Sequence, residues 1–167
     1  LLRLSKDAPA EGRRGDGILE LVMTCHSGGT LEIYVEPHLP APVLWVAGTT
    51  PIAGALATLG AAAGWRGSVI DPVADIDAFP AAERVMTTAD LRRLDPEVSP
   101  YVVIATQGVW DEEATAAALA RDASYVGLVA SPTRAAVVRA WLRDDAGIAD
   151  ERLAALRAPP GLDLGAE

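Results

Sequence analysis

The chain of 167 residues sets 14 Lys and Arg against 23 Asp and Glu, a formal charge of −9. With no basic cluster, it lacks the electrostatic footprint that binding duplex nucleic acid or an anionic membrane surface requires. Its one cysteine, Cys25, excludes an internal disulfide or an all-cysteine metal cluster and fits a reducing, cytoplasmic setting, while 50% hydrophobic residues with only 5% aromatics suit one closely packed α/β domain.

Residues 1 to 17 are polar and Gly-rich and read as a flexible lead-in; Arg3 and Lys6 are followed by no apolar signal-peptide core. Over residues 18 to 36 two runs alternate. Leu19, Leu21 and Met23 share one face of the first, and Leu31, Ile33 and Val35 share one face of the second. His26, Ser27, Gly28 and Gly29 supply turn chemistry between them, so the pattern predicts a β-hairpin with Cys25 at its tip. Pro37, Pro40 and Pro42 make a stiff connector, which closes a segment over residues 18 to 42. No charged residue stands between Pro37 and Trp65, but the prolines, Gly48, Thr49 and Thr50 break that stretch into loop, strand, turn and helix. It therefore reads as no membrane span.

From residue 43 to 167 short apolar runs alternate with helical patterns, as in a parallel sheet buried on both faces. VLWVA at 43 to 47 is the first strand. The helix over 52 to 63 places Ile52, Leu56, Leu59 and Ala63 on one face. Further strands fall at 68 to 71, 84 to 87, 101 to 106 and 125 to 130. Between the third and fourth lies a short helix over 89 to 94 capped by Thr88; an acid-started helix runs from 111 to about 121. Ser131 and Pro132 open the next helix, whose apolar face carries Val137, Val138, Trp141 and Leu142 before Gly147 ends it; a last helix starts near Asp150. The result is a doubly wound parallel sheet with helices on both faces, preceded by a β-hairpin, with its functional loops at 48 to 51, 71 to 73, 106 to 110 and 130 to 132.

At the first of these loops, Gly48 and Ala53 occupy the outer positions of a dinucleotide fingerprint, with Thr49 beside Gly48 and Thr50 where the middle glycine belongs. Thr50 adds a β-branched side chain where a pyrophosphate needs bare backbone, and Pro51 removes an amide. Asp71, about 20 residues on, stands where a ribose-binding carboxylate belongs, or else only orders the turn before Pro72. Gln107 and Trp110 follow a central strand, where binding and packing are both open. Ser131 is either a cap or part of an anion site. Asp111, Glu112 and Glu113 read as ordinary helix-dipole acids, and no Ser, His and Asp set suggests a triad. Cys25 is either a small core hydrophobe or, beside a Gly-rich turn, an exposed thiolate; a zinc site with His26 and His38 lacks the usual ligand spacing.

Taken in order, CHSGGTLEIYVEP at 25 to 37, VLWVAGTTPIAGALATLGAAAGW at 43 to 65, SVIDP at 68 to 72, YVVIATQG at 101 to 108, YVGLVAS at 125 to 131 and APPGLDLGA at 158 to 166 resemble the XdhC/CoxI family. These are accessory proteins of xanthine dehydrogenase and related molybdenum hydroxylases. The resemblance implies a Rossmann-like domain in a maturation factor that binds molybdenum cofactor, assists its sulfuration with a cysteine desulfurase, and delivers it to an apo molybdenum hydroxylase. A second copy, or a separate protein carrying the family's N-terminal module, completes the expected partners.

By position, Cys25 with Gly28 and Gly29 stands for the family's Cys-Gly-Gly element, although His26 and Ser27 intervene, and Cys25 is the residue that would meet the metal. Gly48 and Ala53 match the glycine loop, with Thr50 and Pro51 in place of its Gly and His. Thr106 matches the start of a Thr-His pair in which Gln107 replaces the His. The residues implied for cofactor binding are therefore Cys25, Gly28, Gly29, Gly48, Thr49, Thr50, Asp71, Thr106, Gln107 and Ser131. Two other readings of the same residues stay open: an NAD(P)-binding oxidoreductase domain, and an interaction scaffold that has lost its ligand.

Overall fold

The computed structural model describes residues 1–25, 29–91 and 99–162. The chain divides into two units, Leu1–Pro40 and Ala41–Glu167.

In the first unit, residues 1 to 17 hold two strands where the sequence suggests a flexible lead-in. These are β1 (Leu2–Ser5) and β2 (Arg13–Gly15), followed by β3 (Ile18–Val22) and β4 (Thr30–Ile33). The sheet order is β2-β3-β1-β4. The two alternating runs therefore do not form a hairpin with each other: β1 lies between them, parallel to β3 and antiparallel to β4. The hairpin is β2–β3, closed by Asp16 (φ 51) and Gly17 (φ 73). Two consecutive residues of positive φ make a turn whose twist matches the strands it joins, for which Asp-Gly is a favoured pair. Register pairs place Leu2, Leu4, Leu19, Leu21, Leu31 and Ile33 on one face, and Arg3, Glu20, Glu32 and Arg13 on the other. Ion pairs Arg3–Glu32 (2.7 Å) and Arg13–Glu20 (2.6 Å) lace the charged face. The face carrying Leu19 and Leu21 is half exposed, not a buried core.

In the second unit, six strands are all parallel: β5 (Val43–Ala47), β6 (Arg66–Ile70), β7 (Arg84–Met86), β8 (Tyr101–Ile104), β9 (Tyr125–Leu128) and β10 (Leu156–Arg157). Their order, β10-β9-β8-β5-β6-β7, is doubly wound: the chain runs outward from β5 to one edge, returns, and runs outward from β8 to the other. Among the described residues, four α-helices connect or follow the strands, α1 (Pro51–Ala62), α2 (Asp111–Leu119), α3 (Pro132–Asp144) and α4 (Asp150–Leu153). Alternation along β5 sorts the core. Val43, Trp45 and Ala47 face the α2 and α3 layer with Val102, Ile104, Val126 and Leu128, whereas Leu44 and Val46 face α1 with Val69 and Phe79.

The helices bury different faces from those the periodicity suggests. α1 buries Ala53 and Ala57 and leaves Ile52 and Leu59 45% and 67% exposed. The reason is proximity: a Cβ on Gly60 would lie 3.1 Å from the Leu44 side chain, so the side of α1 that meets the sheet is the one with the smallest residues. α3 buries Ala135, Val138 and Leu142, while Val137 points to solvent. Of the short helix expected over 89 to 94, Thr88 Oγ1 accepts from the Asp90 amide (3.0 Å); residues 92 to 94 lie outside the described residues.

Sequence periodicity gave no sign of β10, which spans two residues. Arg139 of α3 holds it by donating to the Leu153 and Leu156 carbonyls (3.0 and 2.8 Å), and Arg152, in the helix just before it, donates to the Leu119 carbonyl of α2 (2.8 Å). Tyr125 completes the anchorage by donating its hydroxyl to the Pro160 carbonyl (2.8 Å). Gly127 makes room for this, since a Cβ there would lie 2.6 Å from the Tyr125 ring. Burial raises the Tyr125 pKa above its ordinary value of 10.0, against a smaller opposing pull from Arg157.

The unfolded chain therefore loses this phenolic proton before the folded one does, and stability falls as pH rises through about 10. Urea denaturation of Tyr125→Phe is expected to show a loss of about 1 kcal/mol at pH 7 and a smaller decline between pH 8 and 11 than the parent chain shows. An unchanged decline would remove Tyr125 from the anchorage.

Candidate functional site

Where the strand order reverses, between β5 and β8, the following loops leave toward opposite faces of the sheet. A parallel sheet offers a ligand crevice at such a point. Gly48 ends β5 with φ 116, and a Cβ there would lie 2.3 Å from the Ala105 carbonyl oxygen and 3.1 Å from Thr106 Cα. Only glycine permits that approach, and it brings the loop after β5 into contact with the loop after β8. The Gly48 amide is itself spent on the Ile70 carbonyl (2.9 Å).

Thr50 caps α1. Its backbone is extended (φ −76, ψ 164), and its Oγ1 accepts from the Ala53 amide (3.3 Å) while donating to the Ala105 carbonyl (3.0 Å). The cap thus satisfies one of the amides that an open helix N-terminus presents, and Pro51 at the first helical position has none to offer. The hydroxyl also ties the two loops together across the switch point. Thr49, between these residues, is exposed.

Asp71 follows β6 and is only 6% exposed. Its Oδ1 accepts from the Val73 amide (3.0 Å), the turn-ordering role; its Oδ2 accepts from Trp110 Nε1 (3.3 Å). Trp110 comes from the loop after β8 and is itself buried. Since β5 lies between β6 and β8, the Asp71–Trp110 bond passes over the end of the central strand. A turn role for Asp71 and a packing role for Trp110 were both legible in the sequence. The bond between them was not, because nothing in a linear pattern pairs residues on loops two strands apart.

Beyond Thr106 the chain turns tightly through Gln107 (φ 54) and Gly108 (φ 86), with the Val109 amide donating to the Thr106 carbonyl (3.3 Å). Gln107 is exposed and held in a backbone region that non-glycine residues rarely occupy. The Thr106 hydroxyl donates to Asp111 Oδ1, Arg134 Nε donates to Asp111 Oδ2 (3.1 Å), and Arg134 Nη2 donates to Glu112 (2.6 Å). Asp111 is 1% exposed and so is no ordinary solvated helix-dipole acid; it joins the starts of α2 and α3 through Arg134. Hydrogen bonding to Asp111 is the main cause that raises the Arg134 pKa, followed by the lesser contribution of Glu112. Ser131 caps α3 by accepting from the Arg134 amide (3.2 Å).

The structure therefore brings Gly48, Thr50 and Thr106 together at one edge, with Asp71 joined to that edge through Trp110. Cys25 and Gly29 belong to the other unit. Cys25 is exposed and follows β3, whose Val22 pairs with Ser5 of β1. His26, Ser27 and Gly28 lie outside the described residues. Among the described residues no group of three His, Cys, Asp or Glu side chains is placed to hold a metal ion, and no helix is long and apolar enough to cross a membrane.

The family model described as the XdhC Rossmann domain matches residues 44–167. Uncharacterized protein YqeB of Escherichia coli (strain K12) is 28% identical over 147 residues, covering 84% of this chain and 27% of YqeB. Among solved structures, a xanthine dehydrogenase from Bacillus halodurans matches with a TM-score of 0.61 at 22% identity, over 77% of this chain and 39% of that one. The last likeness is one of fold, and the chain spans well under half the length of either protein.

The buried Asp111 generates a test. Arg134→Met keeps aliphatic bulk but leaves the carboxylate without its cation, and is expected to cost about 3 kcal/mol in urea denaturation. Adding Asp111→Asn to it is expected to restore at least half of the loss. A single variant within about 0.5 kcal/mol of the parent would show that the ion pair does not hold α2 to α3.

Proposed function

Because the chain belongs to the XdhC family through its Rossmann domain, we propose that it acts as an accessory factor to a xanthine dehydrogenase-type molybdenum hydroxylase. In this reading it takes molybdenum cofactor as cargo, presents it to a cysteine desulfurase for sulfuration, and passes it to the apo-hydroxylase. The observation that carries the reading is how the strand-end polar groups are spent. Among the described residues, Thr50, Asp71, Thr106, Asp111 and Arg134 are hydrogen-bonded to one another's loops. An acid and base pair for turnover chemistry needs protons within reach of a substrate. Residues bonded in this way hold an edge rigid, which suits a carrier better than an enzyme.

Two further features support the reading. The exposed thiol of Cys25 is a soft ligand of the kind molybdenum accepts, with Gly28 and Gly29 beside it in sequence. The strand-end loops also expose the apolar side chains of Val73 (80%) and Val109 (83%), and the start of α1 exposes Ile52 (45%), the type of surface a protein partner covers. The bonded edge also favours a second reading, a scaffold that docks proteins without carrying cofactor.

The two readings separate in a reconstitution. Purified protein is mixed with molybdenum cofactor, gel-filtered, assayed for retained molybdenum, and added to apo-xanthine dehydrogenase. The carrier reading expects retention by the parent chain and at least about tenfold weaker retention by Cys25→Ser, a difference of about 1.4 kcal/mol, with a matching loss of hydroxylase activation. Equal retention by both proteins would remove Cys25 from the cargo site, and no retention by either would leave the scaffold.

A further inference from the structure

The geometry points to a switch-point crevice latched from within by Thr50 and Trp110, so that this Rossmann domain does not take a dinucleotide. Three features let such a fold hold a dinucleotide: bare backbone at the middle glycine, unspent amides at the first helix, and a carboxylate turned toward the ribose. The first and third are used internally here, and the second is reduced.

At the middle-glycine position stands Thr50, whose hydroxyl donates to the Ala105 carbonyl across the crevice. At the helix start, Pro51 carries no amide hydrogen and the Ala53 amide already donates to Thr50 Oγ1. The carboxylate, Asp71, accepts from the Val73 amide on one oxygen and from the Trp110 indole on the other. A carboxylate has about four acceptor directions, so two bonds alone do not exhaust it; being 94% buried removes the rest from a ligand's reach.

The two latch bonds arise independently and point the same way. Thr50 reaches from the loop after β5 to that after β8; Trp110 reaches from the loop after β8 to that after β6. Together they fasten three consecutive strand-end loops where the pyrophosphate and ribose of a dinucleotide would lie. Opening them would bare the backbone at position 50 and free the Asp71 carboxylate for a ribose. The inference does not rest on the accessory reading: a latched crevice is compatible with cargo held at Cys25 and equally with a scaffold.

The experiment is isothermal titration of the full chain with NAD+, NADH, NADP+ and NADPH, run beside Thr50→Gly, Trp110→Phe and the double variant. Trp110→Phe keeps an aromatic ring and removes only the indole donor, so it remains informative if the double variant fails to fold. No saturable binding by the parent chain is expected up to about 1 mM, with at least one folded variant, judged by its circular dichroism, gaining at least about tenfold in affinity for one of the four. Saturable binding by the parent below about 1 mM overturns the inference. So does a set of folded variants that all remain as inert as the parent, since the exclusion would then lie in groups other than these two.

Discussion

Contact between two loops at the end of the central strand organises the second unit. A doubly wound sheet leaves a gap where its order reverses, and the backbone groups facing that gap must find partners in solvent, ligand or protein. Here the gap is closed to contact distance, with Gly48 so near Ala105 that even a methyl group has no room. Thr50 then donates to the Ala105 carbonyl and accepts from the Ala53 amide. Each neutral bond contributes only about 1 kcal/mol net, but leaving either buried partner unpaired costs about 1–3 kcal/mol. The closed arrangement is thus maintained less by the strength of its bonds than by the cost of opening them.

A second constraint comes from charge. Asp111 is nearly sealed from water, and an isolated carboxylate there would be strongly unfavourable. Arg134 from α3 and the Thr106 hydroxyl supply what water would have supplied. In doing so they fix the starts of α2 and α3 and the turn through Gln107 to one another. The edge of the sheet at which doubly wound folds place a ligand is here held by side chains from several loops.

Much of the second unit was legible because its signals are local. Unbroken apolar runs mark β5, β8 and β9, and Ser131 followed by Pro132 marks the start of α3 by capping chemistry alone. Other features depend on what lies opposite. α1 turns Ala53 and Ala57 inward because the sheet approaches too closely for Ile52 or Leu59, and no periodicity within the helix records that distance. β10 is held by Arg139, which reaches the Leu153 and Leu156 carbonyls, while Arg152 ties the helix before it to the end of α2. In the first unit the relevant signal was present: Asp16–Gly17 is a strong hairpin turn, but it was overshadowed by the longer glycine-rich stretch after Cys25. At the candidate site, the residue types at Gly48, Thr50 and Asp71 draw attention to the loops. Their partners, Ala105 and Trp110, are set by tertiary placement.

The bond from Trp110 to Asp71 gives the most direct view of the closed crevice. In a 15N-labelled sample, the Trp110 indole proton, assigned by its loss in Trp110→Phe, is expected to exchange slowly with D2O and to exchange much faster in Asp71→Ala. An indole proton that exchanges in the parent chain as fast as in that variant would mean that the crevice stands open and that the loops are not fastened across it.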